Sequence, residues 1–199
     1  MAPDRYDTHP DESEILPNKL GLTDLDAINE EEAAGFLRAE HKAIDALSGS
    51  TVFSAEYLYD LHVSALGHLY DFAGRLRTVD MSKGGFMFAP AHVLPHTMST
   101  FEAEYLEPSN SREWTDDISL LEYLAEMHAE LLYIHPFREG NGRIIRLFTK
   151  LIFLAKRGKE LNFALITKGD NFQRYIAAVQ QATGKEYVLM QELFREMGT

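Results

Sequence analysis

The run HPFREGNGRIIR at 135–146 packs into one short stretch nearly every group needed to hold and attack a nucleotide phosphate. Pro136 disfavours helical geometry in the residue before it, so a helix arriving from upstream ends at about His135. Gly140 and Gly142 allow a tight loop, and the apolar run at 144–155 starts a second helix. Loop amides and the unbonded N–H groups of a helix start then converge, and the helix dipole adds positive potential, which makes an anion site.

Arg143 and Arg146 lie on one face of the first turn of that second helix, where a cation opposes the dipole. Helix stability alone favours Asp or Glu there. Two arginines make sense in that place if a polyphosphate lies between them, because guanidinium binds phosphate bidentately. Glu139 is the one carboxylate at the loop, and a lone carboxylate beside phosphates is the usual protein ligand for Mg²⁺. His135 is the nearby group that ordinarily titrates near neutrality, so it is the natural general base for an attacking hydroxyl. A histidine at a helix end is usually a cap, and Gly-Asn-Gly alone is a turn. Their conjunction with a carboxylate and two spaced arginines is specific.

This run resembles, at every fixed position, the H-P-F-x-[D/E]-G-N-G-R-x-x-R signature of the Fic family, and the surroundings resemble a Fic core from about residue 18 to 181. Proteins of that family transfer AMP from ATP to a hydroxyl of a target protein. The resemblance implies that His135 deprotonates a target Tyr, Ser or Thr and that Glu139 holds Mg²⁺. Gly140, Asn141 and Gly142 form the anion hole, Arg143 and Arg146 bind the outer phosphates, and Phe137 is a core anchor. UMP transfer, the phosphoryl transfer of the related Doc proteins and removal of AMP use the same parts. The intact Gly140-Asn141-Gly142 favours AMP transfer. A module that holds nucleotide without turnover is the reading from another class, and an altered His or Arg would have supported it.

The resemblance also bears on control, because Fic proteins are commonly held off by a helix whose glutamate pairs with the second motif arginine, here Arg146. Thr8 and Glu12 have the spacing of that inhibitory motif but Ser13 follows where Gly or Asn is expected, Ser109 and Glu113 are followed by Trp114, and no Ser or Thr opens the last helix. The expectation is an inhibitory glutamate supplied by a small antitoxin-like partner, with this chain as the toxin of the pair.

A chain of 199 residues, 45% hydrophobic, suffices for one well-cored domain, read as an irregular lead-in at 1–17 and a Fic domain with C-terminal helices at 18–199. A net charge of −12 argues against nucleic-acid binding, and the absence of cysteine excludes disulfides and thiol chemistry. No apolar stretch reaches membrane-spanning length, so a cytoplasmic protein is expected.

The fold class expected is mainly α, a Fic-type helical domain with one short β-hairpin flap. Helical spacing predicts helices at 25–47, 55–73, 97–106, 116–135, 143–156, 171–182 and 186–197, with Leu37 and Ile118 facing the core, Glu30, Glu31 and Glu32 toward solvent and 107–112 as a polar loop. Ser54 and Thr115 read as caps, and Gly74 and Gly158 as helix ends. At 75–89 the period switches, predicting a strand at 76–81, a turn at 82–85 and a strand at 86–89. That segment looks like the Fic flap, a clamp onto which the target docks, with Lys83 and Gly84 close to the nucleotide. His92 and His96 have helical metal spacing, but Pro95 lies between them and no glutamate completes the set. His62 and His68 read as packing or surface residues, and Gln173 and Tyr175 as plausible nucleobase contacts.

Overall fold

The computed structural model describes residues 15–167 and 169–198. Thr8, Glu12 and most of the expected lead-in lie outside them. Among the described residues the chain forms eight α-helices and one two-stranded hairpin, the mainly α class expected. None of the helices is long and apolar enough to cross a membrane.

The centre is the antiparallel pair α5 (Asp117–Ile134) and α6 (Asn141–Arg157), joined by the short loop at 135–140. Leu120, Leu124 and Leu131 of α5 and Ile144, Ile145, Phe148 and Ile152 of α6 are fully buried between them and their neighbours. One flank is covered by α1 (Leu25–Ala46) and α2 (Ala55–Leu66), the other by α7 (Gly169–Ala182) and α8 (Val188–Met197). Short polar caps set the starts. Asp24 accepts from the Ala27 N–H at 2.9 Å and Ser54 from the Tyr57 N–H at 3.1 Å. For α5 the cap is Asp116, which accepts from the Ser119 N–H at 2.7 Å, in place of the expected Thr115.

Several boundaries differ from the sequence reading. Helix α2 ends at Leu66, because the Gly74 N–H turns back to donate to His62 Nδ1 at 2.9 Å, a contact a straight helix to residue 73 could not make. Helix α3 (Leu94–Phe101) begins at Leu94, since Pro95 occupies the first turn, where a missing N–H costs nothing. A π-helical stretch, Glu102–Leu106, carries the chain into α4 (Glu107–Ser111), so most of the expected loop at 107–112 is helical. Leu37 and Ile118 stand at 54% and 57% exposure, outside the buried stripes they were expected to join.

The hairpin is shorter than its sequence suggests. Strands β1 (Ser82–Lys83) and β2 (Phe86–Met87) pair antiparallel, Ser82 opposite Met87 and Lys83 opposite Phe86. Gly84 and Gly85, at φ 56° and 81°, form the two-residue turn, whose left-handed residues match the strand twist. Residues 76–81 are not a strand because Arg77 turns inward. Its Nε donates to the His135 carbonyl at 2.7 Å, Nη1 to that of Val79 at 2.7 Å, and Nη2 to that of Ile134 at 3.3 Å and to that of Ala89. The Arg77 N–H donates to the Pro136 carbonyl at 2.9 Å and the Ala89 N–H to that of Tyr133 at 3.1 Å. The base of the hairpin thus directs most of its hydrogen bonds to the end of α5, and beyond the tip ladder one bond crosses it, from the Phe88 N–H to the Met81 carbonyl at 3.2 Å.

Arg77→Met strips four carbonyls of this donor and is expected to cost about 3 kcal/mol or more. Urea unfolding reads the loss directly. Arg77→Lys should recover little, since an ammonium lacks the planar fork, and full recovery by lysine would show that charge alone holds the hairpin.

Candidate active site

His135 caps α5 in a left-handed conformation, φ 52° and ψ 60°, rare for a residue with a side chain. Arg77 holds its carbonyl, and its Nδ1 lies 3.0 Å from the Leu132 carbonyl. A carbonyl only accepts, so the ring proton sits on Nδ1 and Nε2 carries the lone pair. Burial is the main cause that lowers the His135 pKa, to about 3, with the charges of Arg77 and Lys83 pushing the same way and the Leu132 bond opposing them. Phe88, beyond β2, stacks on the ring at 3.7 Å between centroids. The proposed base is therefore neutral, oriented and covered by the hairpin.

The loop that follows is held from beneath. Phe137 is fully buried, stacked on His62 at 3.9 Å and edge-on to Tyr59 at 5.9 Å, as a core anchor must be. Asn141 closes the loop on itself, its Oδ1 accepting from the Phe137 N–H at 2.8 Å and its Nδ2 donating to the Phe137 carbonyl at 2.6 Å. Its side chain is thus a brace, and what it offers an anion is backbone N–H. Gly140, at φ 76°, is the N-cap of α6 and supplies no side chain to the helix start. A Cβ there would come within 2.9 Å of Leu66. The first N–H groups of this 17-residue helix, at Asn141, Gly142 and Arg143, point into the loop with the dipole behind them.

His62 contributes in a way its sequence did not suggest. It accepts from the Gly74 N–H on Nδ1, so its proton lies on Nε2, which donates to the Glu139 carbonyl at 3.0 Å. Burial, the largest cause, lowers its pKa to about 4.

The charged groups sort into held and unheld. Glu139 Oε1 accepts from the Gly140 N–H at 2.7 Å and lies 3.5 Å from Arg143. Arg143 also pairs with Glu32 and lies over the Phe36 ring at 4.6 Å, while the Tyr70 hydroxyl donates to Glu32 at 2.6 Å. Glu32 is 4% exposed, so the expected solvated face of α1 holds for its neighbours but not for it. The register carried the signal, because Glu32 is one turn from both Ile28 and Phe36 on the inward stripe. Arg146 makes no ion pair among the described residues. Its Nη1 lies where a Cβ on Gly142 would come within 3.2 Å.

Arg143 and Arg146 line a cleft of about 460 Å³ that runs along α6 to Lys150, walled by Phe36 and Glu40 of α1 and by the segment 160–164. Lys150 is held at its far end by Glu40 at 2.7 Å and Glu160 at 2.8 Å. Lys83 lies on β1 near enough for its charge to act on His135, while Gly84 is exposed at the hairpin tip. Gln173 is exposed on α7, whereas Tyr175 turns into the core with its hydroxyl 2.7 Å from His128. His92 and His96 are exposed, and among the described residues no group of three or more His, Cys, Asp or Glu could cage a metal. One carboxylate at the mouth of an anion site fits a cation completed by phosphates and water.

The fold and this site together define the class. The model of the Fic/DOC family matches residues 52–153, and the chain belongs to that family. A protein adenylyltransferase of Bartonella henselae is 28% identical over 203 residues, 92% of this chain and 35% of its own length. The protein adenylyltransferase VbhT of Bartonella schoenbuchensis is 27% identical over 143 residues, 69% of this chain and 28% of its own length. The chain thus spans about a third of these curated relatives. BepC of Bartonella tribocorum, a VirB-translocated effector solved with bound AMPPNP, has the same fold, with TM-score 0.78, 23% identity and coverage of 94% of this chain and 93% of that one.

The three buried rings make a test in solution. The pKa of His62, His128 and His135 is lowered to about 4, 3 and 3, from an ordinary 6.5. Across that window the unfolded chain binds protons that the native state does not, so stability is full above about pH 6.5 and falls as the pH drops toward the folded values. Ring ¹⁵N spectra should keep all three neutral from pH 8 to about 5, and a midpoint near 6.5 for His135 would contradict its burial.

Proposed function

We propose that this chain is the catalytic domain of a protein adenylyltransferase, formed by residues 18–199, that moves AMP from ATP to a Tyr, Ser or Thr hydroxyl of a target protein. One observation carries the reading: a neutral histidine with its lone pair on Nε2 stands at an uncapped helix start lined by motif arginines. The activity named for the relatives supports it, and so does the AMPPNP bound to a protein of the same fold. In this reading the target hydroxyl attacks the α-phosphorus while its proton passes to His135 Nε2. The bond from that phosphorus to the bridging oxygen breaks and pyrophosphate leaves.

The N–H groups of Asn141, Gly142 and Arg143 take the charge developing on the phosphate oxygens, and Arg143 and Arg146 seat the outer phosphates. Glu139 would hold Mg²⁺, which neutralises phosphate charge when bound. The hairpin serves as the docking edge for the target, with Met87, 60% exposed, on β2 and Lys83 and Gly84 beside the nucleotide. An inhibitory glutamate from a small antitoxin-like partner would reach Arg146 through the cleft along α6, and would displace the outer phosphates from their seat. We place the reaction in the cytoplasm, where ATP is supplied.

ATP labelled on the α- or on the γ-phosphate decides the chemistry. Label should enter target protein from the α position only, and His135→Ala should lower the rate by about 10²-fold or more with nucleotide binding nearly unchanged. Entry of γ label would establish phosphoryl transfer instead, and a preference for UTP would reassign the base.

A further inference from the structure

Helix α1 buries a carboxylate on an otherwise apolar stripe, where Ile28, Glu32, Gly35, Ala39 and Ala43 face inward. Both oxygens of Glu32 are engaged. Oε1 accepts from the hydroxyl of Tyr70 at 2.6 Å, and Oε2 accepts from Arg143 Nη2. Tyr70 is itself buried and fixed, since its N–H donates to the Leu66 carbonyl at the end of α2 at 2.8 Å and its ring stacks on Phe72 at 4.6 Å. One turn on from Glu32, the Phe36 ring meets the face of the same guanidinium at 4.6 Å, so α1 touches Arg143 at an edge and at a face. Glu139, 3.5 Å away, is its other ionic contact among the described residues. The Arg143 side chain nonetheless stays 33% exposed, open on the side of the cleft it lines.

We infer that Glu32, held by Tyr70, is a positioning residue that sets the reach of Arg143 toward the outer phosphates. The inference rests on the phosphate-seating role proposed above for Arg143. Stability does not explain the carboxylate, because the attraction within a buried ion pair seldom outweighs the cost of desolvating it, and an apolar side chain would complete the stripe. What the pair supplies is direction. Arg143 stands in the first turn of α6, where the dipole repels a cation, and the Glu32 charge keeps the guanidinium beside that helix start. With Nη2 turned to Glu32 and one face on Phe36, the long side chain is ordered when the chain folds, so a phosphate need not order it on binding.

Calorimetric titration with AMPPNP and with AMP separates this role from a structural one, since AMP lacks the outer phosphates. Glu32→Gln keeps the shape and removes the charge, and should raise the Kd for AMPPNP about 10-fold while leaving that for AMP within about twofold. Tyr70→Phe leaves the ion pair but frees the carboxylate to turn, and should raise the Kd for AMPPNP about threefold. Adding Glu32→Gln to Arg143→Ala should cost nothing further. Tighter AMPPNP binding by Glu32→Gln would overturn the inference, by showing that the carboxylate competes with phosphate for Arg143. Equal losses for both nucleotides would also overturn it, as would an Arg143→Ala loss that Glu32→Gln does not share. No loss of AMPPNP affinity in Arg143→Ala would remove the proposed role of Arg143 and this inference with it. Should Glu32→Gln not fold, Tyr70→Phe decides: a loss confined to AMPPNP supports the inference, and unchanged AMPPNP affinity refutes it.

Discussion

The geometry of the candidate site depends on one buried guanidinium. Arg77 gathers the carbonyls of Ile134 and His135 at the end of α5 with those of Val79 and Ala89 at the two sides of the hairpin base. A left-handed histidine is a costly place to end a helix, and such a residue persists only where its surroundings over-determine it. Arg77 supplies that over-determination from outside, and the Leu132 carbonyl supplies it from within α5. The same contacts that strain the backbone at His135 therefore aim its ring and fix where the hairpin can lie.

Three buried histidines show how one side chain serves different ends according to its partners. In His62 the proton is on Nε2 and supports the loop through Glu139. In His135 it is on Nδ1, tied to its own helix, which leaves the lone pair on Nε2. In His128 both nitrogens are used, Nδ1 donating to the Thr149 hydroxyl and Nε2 accepting from that of Tyr175, so the ring is tied into the core. Burial depresses all three, so the tautomer and not the charge distinguishes them.

What the sequence made legible was local. The motif lies within one helix–loop–helix turn, so proline, glycine and helix-start chemistry were enough to place His135, Gly140 and the arginines against one another. Residues whose roles depend on distant partners were not legible in this way. Arg77 read as part of a strand because nothing nearby reveals that its donors go to carbonyls at 134 and 135. Glu32 read as solvated from its acidic neighbours, although its register on α1 pointed inward. His62 read as a packing or surface residue and Tyr175 as a nucleobase contact, and the partners of both were hidden, since a polar residue on an apolar stripe announces burial but not its partner.

The stripe of α6 that lines the cleft has a further consequence. Its cations are Arg143, Arg146 and Lys150, of which Glu32 and Glu139 offset the first, and Glu40 and Glu160 the last. Among the described residues only Arg146 keeps an uncompensated charge there, on a chain whose net charge is −12. A polyanion approaching from solvent meets a repulsive far field and feels attraction only within a few ångströms of α6. Added salt, which slows most encounters between opposite charges, would therefore speed this one by screening the approach while leaving the buried end of the contact intact.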